Sequence, residues 1–292
     1  MPNLHRTVLL EEAVRALITN RDGIYVDCTY GRGGHSSAIA RELGSDGRLL
    51  LVDQDLTAIR HAHMRFEGDP RVLIEHGAFS QIRHFARSNR IKKFDGVLLD
   101  LGVSSPQLDQ PERGFSFRQA GPLDMRMNQT KGETAAEWLS SASELEITDV
   151  LKRYGEERFA RRIARNIVTE RSQGPIDTTD RLVEIVEMSV PRWEKRKHPA
   201  TRSFQAIRIR VNRELEELNT CLNDVVDLLR SGGRLVVISF HSLEDRLVKR
   251  FFRRLAVGDQ LPSRLPITED QLNRRLKLVG KPMKPSKVEV SA

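Results

Sequence analysis

Short apolar runs alternate with amphipathic stretches through the first hundred residues. Ile24 to Val26, Arg48 to Val52, Val72 to Glu75 and Phe94 to Asp100 each read as a short buried strand bounded by turn residues. Helices are predicted between them, over residues 35–43 before Gly44, over 55–66, and up to about Ser88 after the turn His76 to Ser80. An amphipathic helix over 7–19 precedes the first strand, with Val8, Leu9, Ala13, Ala16 and Leu17 on one side and Thr7 as its N-cap. Strands alternating with helices predict an α/β fold with a parallel sheet and right-handed crossovers.

The pattern changes after about residue 110. Residues 111–130 form a loop rich in glycine, proline and methionine, and no convincing strand follows before Arg213. Helices are predicted instead. One carries the capping box Thr134-x-x-Glu137, and one runs from Glu144 to Tyr154 and stops at Gly155. Others span 156–171 and 180–189, and a long helix leads from the basic stretch Lys195 to Pro199 to about Arg230. The strand period returns at 232–241, and Ser242-Leu-Glu-Asp245 opens a helix with a box-like cap; a last helical piece is expected near 269–278. The chain therefore divides into 1–109, a helical insertion over 110–213, and 214–292, the first and last parts forming one sheet domain.

Charge adds a partner. The net formal charge is +8. It is −3 over residues 1–151, +8 over 152–213, −5 over 214–245 and +8 over 246–292. Two basic blocks on a near-neutral body favour a polyanion, nucleic acid above all, over ordinary solvated helix faces. Two cysteines, Cys28 and Cys221, exclude a disulfide framework or paired-CxxC zinc site, and no His/Cys/Asp cluster has ligand spacing. No run approaches the roughly 20 apolar residues of a membrane span, and Met1 to Arg6 lacks the apolar core of a secretion signal. A reduced, cytoplasmic protein without a membrane partner is expected.

The chemistry gathers at the strand ends. The first strand leads through Gly31, Gly33 and Gly34 into a helix, the opening of a doubly wound sheet where backbone approaches a ligand closely. Asp27, Asp53 and Asp100 close the first, second and fourth strands. A carboxylate at Asp27 repels pyrophosphate and suits a cation, so S-adenosylmethionine is favoured over a dinucleotide. Asp53 stands where an acid accepts from ribose hydroxyls, which serves either nucleoside. Ser36 occupies the position of the third glycine in G-x-G-x-x-G, a further point against NAD(P)-dependent oxidoreduction. Asp100-Leu-Gly-Val-Ser-Ser-Pro-Gln107 leaves the fourth strand beside the expected donor. Ser104, Ser105 and neighbouring carbonyls there can accept hydrogen bonds from an exocyclic amino group, although a tight turn alone also explains Gly102 and Pro106. Carbon-5 methylation of cytosine needs a cysteine nucleophile, and neither cysteine has the neighbouring proline or a matching place.

The segments Tyr30-Gly-Arg-Gly-Gly-His-Ser36, Leu99-Asp-Leu-Gly-Val-Ser-Ser-Pro-Gln107, Arg113-Gly-Phe-Ser-Phe117, Gly121-Pro-Leu-Asp-Met-Arg-Met127, Tyr154-Gly-Glu-Glu157, His198-Pro-Ala-Thr-Arg202 and Ile238-Ser-Phe-His-Ser-Leu-Glu-Asp-Arg246, with His5-Arg-Thr-Val-Leu-Leu, resemble the RsmH (MraW) family over nearly the whole chain. The resemblance implies a class I, Rossmann-like methyltransferase sheet with an inserted helical domain for substrate recognition. It implies S-adenosylmethionine-dependent N4-methylation of a cytidine, position 1402, in the decoding region of 16S rRNA, with 16S rRNA or the small ribosomal subunit as partner. Carried over by motif, the donor site comprises Gly33, Gly34, His35, Asp53, Phe79, Asp100 and Gln107, and the charge argument adds Asp27. Asp100, Ser104 and Ser105 are the expected catalytic group. Substrate contacts are expected from Phe115 and Phe117 by stacking on an unpaired base, from Lys195, Arg196 and Lys197 on phosphate, and from Arg202 and His241. The family's closing arginine-rich segment and last strand are not matched after Lys281 to Ser286, so a truncated sheet edge is expected and activity is open. That leaves a non-catalytic rRNA-binding or ribosome-assembly role as the alternative, and it leaves a homodimer open.

Overall fold

The computed structural model describes residues 7–191, 198–258, 272–286 and 289. The chain forms two compact units, one of residues 1–102 and 216–292, the other of residues 103–215.

The first unit is built on five parallel strands in the order β3-β2-β1-β4-β5. These are β1 (Ile24–Asp27), β2 (Arg48–Asp53), β3 (Val72–His76), β4 (Phe94–Asp100) and β5 (Leu229–Ile238). Alternation within the strands sends side chains to two covered faces. Tyr25, Leu49, Leu51 and Leu98 pack with α1 (Leu10–Leu17), α2 (Gly34–Glu42) and α3 (Leu56–Arg65). Val26, Leu50, Val52, Val97 and Leu99 pack with α4 (Ile82–Ser88), the later turns of α11 (Glu214–Leu228) and α12 (Ser242–Val257). Sheets buried on both faces are near-continuously apolar, which is why 49–52 and 97–99 carry no polar residue. Among the described residues no helix is long and apolar enough to cross a membrane.

The second unit is helical. The short α5 (Ser105–Asp109) leads to α6 (Ala135–Ser141), α7 (Glu144–Gly155), α8 (Ala160–Arg171), α9 (Thr179–Ser189) and α10 (Ala200–Asn212). They enclose a core that includes Trp138, Leu139, Ile163, Ile185, Phe204 and Ile207. The Thr134 box forms as expected: Thr134 Oγ1 accepts from the Glu137 amide at 3.1 Å and Glu137 Oε2 accepts from the Thr134 amide at 2.7 Å.

Several expectations change. Thr7 does not cap α1, whose N-cap is Leu9 with φ 52° and no side-chain bond. The long helix expected through 213 is two helices, broken at Arg213 with φ 51°. Arg208 clamps the break by donating to both oxygens of Glu214, at 2.8 and 2.9 Å. β5 starts and ends three residues earlier than the expected 232–241, with a register shift between Phe94 and Gly96. His241 rather than Ser242 caps α12, and of the helical piece expected near 269–278, residues 269–271 lie outside the described residues and 273–278 form no helix.

Candidate functional site

The carboxyl ends of β1, β2 and β4 bring three acids to one rim of the sheet. Asp27 pairs in register with Leu51 and Leu98, and Asp53 and Asp100 follow two residues further along their strands. The strand ends are tied together by the segment after β1. The Cys28 amide donates to Leu98 O, the Tyr30 amide to Val52 O, and Thr29 Oγ1 accepts from the Asp100 amide at 2.6 Å.

Asp27 is 1% exposed. Its Oδ2 accepts from Ser36 Oγ at 2.5 Å and its Oδ1 from the Thr29 amide at 3.1 Å. Burial pushes its carboxyl above the ordinary range, and the Ser36 bond and the nearby His35 only partly offset that. Asp27 thus offers almost no surface of its own and stands as a buried carboxyl behind the rim. Ser36 has a reason to replace the third glycine, since a glycine there would leave a buried carboxylate oxygen without its donor.

His35, also buried, lies between the two acids, its Nδ1 3.4 Å from Asp100 Oδ2. Burial alone would lower its pKa, but the bond to Asp100 and the charges of Asp100 and Asp27 raise it overall. Asp100 Oδ1 is buried and has no hydrogen-bond partner among the described residues. A buried acceptor without a donor is costly unless a ligand supplies one. Asp53 is partly buried. Its Oδ2 accepts from the Gly31 amide at 2.7 Å and its Oδ1 from the Asp55 amide at 2.8 Å. Each oxygen keeps a second lone pair for a hydroxyl. Burial raises its pKa to about 6 against the pull of those two amides; the edge that still meets solvent tempers the shift.

The glycine turn closes the rim. Gly33 is the N-cap of α2 with φ 73°, and no side chain caps the helix, so its first amides remain available to an anionic group. A Cβ on Gly34 would collide with Thr7 Oγ1, so Thr7, though no cap, packs the segment before α1 onto the turn. Tyr30 beneath the turn shares a 2.7 Å hydrogen bond with His61, and burial raises its pKa to about 12. Phe79 lies just past β3 on a single 3₁₀ turn, partly buried. The rim thus offers acceptors for a cation and for hydroxyls beside donors for a carboxylate, which fits the charge pattern of S-adenosylmethionine.

In the helical unit, Ser104 is the N-cap of α5 and Ser105 its first residue. Gln107 is buried and its side-chain oxygen, Oε1, accepts from the Ser104 amide at 3.0 Å, so this expected donor contact also shapes the turn. Phe115 is 6% exposed, with the Arg113 guanidinium 5.8 Å from its ring centroid. The ring is packed inside the helical unit and shows little of its face to solvent. Phe117 is more open, but His198 already stacks on it, centroids 4.6 Å apart and rings 19° from parallel. Arg202 is exposed on α10. Lys195, Arg196 and Lys197 lie outside the described residues.

His241 belongs to the first unit, and its ring is engaged at the start of α12. Nδ1 accepts from the Glu244 amide at 3.4 Å and Nε2 lies 3.2 Å from Glu244 Oε1. That makes it a cap before it is a substrate contact. Cys28 and Cys221 are free and buried, so neither reaches a base as a nucleophile. Thr29, which holds the strand ends, escaped residue-type reasoning, and Ser36 stood out only as the residue in place of the third glycine.

A family model described as the MraW methylase family matches residues 3–292. Three curated relatives, each named ribosomal RNA small subunit methyltransferase H, cover 98% of this chain. The one from Chromohalobacter salexigens is 55% identical over 289 residues and is covered over 87% of its length. Those from Thioalkalivibrio sulfidiphilus and Nitrosospira multiformis are 56% and 53% identical, each covered over 92%. Matched from its third residue to its last and more than half identical to these relatives, the chain belongs to the MraW methylase family.

Proposed function

We propose that the protein is an S-adenosylmethionine-dependent methyltransferase that modifies the N4 amino group of a cytidine in the decoding region of 16S rRNA. The observation that carries this reading is the rim itself, where Asp100 keeps a buried oxygen free beside two further acids and an uncapped helix start. The names of the relatives supply the RNA class.

S-adenosylmethionine, when bound, supplies an electrophilic methyl group on a positively charged sulfur. Asp53 holds the ribose hydroxyls with its remaining lone pairs. Asp100 Oδ1 accepts from the ammonium group, and the first amides of α2 take the carboxylate. Asp27 and Asp100 give the rim the negative field a cation needs, while His35 keeps Asp100 oriented. Ser104 and Ser105, four and five residues past Asp100, accept from the cytosine amino group. That favours a more pyramidal, more nucleophilic nitrogen and leaves the chain mainly a task of alignment. The burial of both cysteines favours nitrogen over carbon 5.

Incubating the protein with labelled donor and small ribosomal subunits, then locating the label by mass spectrometry, tests the reading. The expected product is N4-methylcytidine in 16S rRNA. Label at carbon 5, or no transfer to either subunits or bare RNA, overturns it.

A further inference from the structure

Among the exposed large hydrophobic side chains of the described residues, Phe240 is the one aromatic, and it is 57% exposed. Single exposed apolar residues are ordinary, but this one has an unusual setting. It stands just past the carboxyl end of β5, two residues after Ile238, which pairs in register with Asp100. The Leu101 amide donates to Ile238 O at 3.0 Å, so the strand ends that carry Asp100 and Phe240 are joined side by side.

The backbone under the ring is fixed. The Phe240 amide donates to Glu244 Oε2 at 3.0 Å, and the His241 amide approaches the same oxygen at 3.4 Å. Glu244 is 2% exposed and its other oxygen faces His241 Nε2. A buried carboxylate and a helix cap therefore hold a loop whose aromatic ring faces solvent. The ring also lies along Gly102: a Cβ there would be 3.4 Å from Phe240 Cδ2, and Gly102 has φ 98°. The left-handed backbone and the absent side chain together leave the ring a flat, open surface. A rigidly mounted aromatic at the rim, beside the acid with a free buried oxygen, is what a base needs to stack on.

We propose that Phe240 is the platform on which the acceptor base stacks during methyl transfer, a role that rests on the methyltransferase reading above. Its chemistry asks for an unpaired pyrimidine ring and not for a phosphate.

Phe240→Ala, Phe240→Leu, Phe240→Tyr and Phe240→Trp are compared with the parent for donor affinity by calorimetry, thermal midpoint, and kcat/KM on the RNA substrate. The expected result is a loss of roughly ten- to a hundredfold in kcat/KM for Ala and Leu. Donor affinity and midpoint stay unchanged, and Tyr and Trp recover activity to within a few-fold. Parental kinetics in Phe240→Ala, recovery by Leu as complete as by Tyr, or loss of donor binding in Phe240→Ala each overturn the proposal. Should the parent transfer no methyl group, the methyltransferase reading fails separately. The platform is then judged by the indole fluorescence that Phe240→Trp adds to the parent signal. Quenching by a cytidine-bearing RNA fragment and not by the same fragment with an abasic site upholds it; equal or absent quenching overturns it.

Discussion

Replacing Ser36 by alanine removes one hydroxyl from the interior of the first unit, and its consequences can be worked through. Ser36 is fully buried and Asp27 is 1% exposed, with 2.5 Å between Oγ and Oδ2. Both residues lie away from solvent, so Oδ2 loses its donor. Hydrogen bonds to charged groups contribute about 1.5–3 kcal/mol net, so a loss near 2 kcal/mol is expected. That corresponds to roughly 4–8 °C in the melting of the unit. The effect carries a pH signature. Asp27's native pKa is raised above its unfolded value, so its contribution to stability is full below the ordinary carboxylate range and is lost as pH climbs through the native pKa. The Ser36 bond lessens that loss by favouring the ionised form. The Ser36→Ala penalty should therefore be larger in alkaline than in acidic solution. Ser36→Gly, which restores the third glycine of the dinucleotide fingerprint, should be at least as damaging. Scanning calorimetry across that range is the assay. A penalty under 1 kcal/mol, or one equal at both ends, would refute a buried, ionisable Asp27 held by Ser36.

Other consequences follow from separate parts of the molecule. With its pKa raised to about 6, ionising Asp53 costs stability as pH rises through that value, so a cationic ligand should restore more at pH 8 than at pH 5. The midpoint gain from S-adenosylmethionine should grow over that interval, and a flat profile would remove Asp53 from the site. Arg208→Ala strands a buried Glu214 at the helix break and should cost about 3 kcal/mol in the melting of the helical unit, while apolar replacement of both should recover most of it. Neutralising Lys195, Arg196 and Lys197 together should weaken RNA binding and flatten the slope of log affinity against log salt by about 2–3. An unchanged slope would free these residues from phosphate.

The sheet was legible because its signal is dense. Four short apolar runs, each followed by a helix, leave few topologies, and glycine after β1 marks the ligand edge. Boundaries slipped where a single backbone torsion decides them. The break at Arg213 lies inside an uninterrupted helical pattern, and the bidentate Arg208–Glu214 pair bridges it. Asp27 and Phe115 were legible as residue types but not as environments. Both are buried, because exposure depends on packing from remote segments. Phe240 went unnoticed for the converse reason: one aromatic at a strand end reads as core until its neighbour, Gly102, is seen to leave it uncovered. Ser36 was visible only as a departure from a glycine fingerprint, and the structure turns that departure into a hydrogen bond.

The account depends on a rim whose acids hold a cationic nucleoside. Calorimetric titration of the parent and of Asp53→Ala with S-adenosylmethionine and with NADH addresses that directly. Saturable binding of S-adenosylmethionine by the parent, no heat with NADH, and at least a tenfold weaker affinity in Asp53→Ala are predicted. Binding of NADH by the parent, or S-adenosylmethionine affinity indifferent to the loss of Asp53, would contradict it.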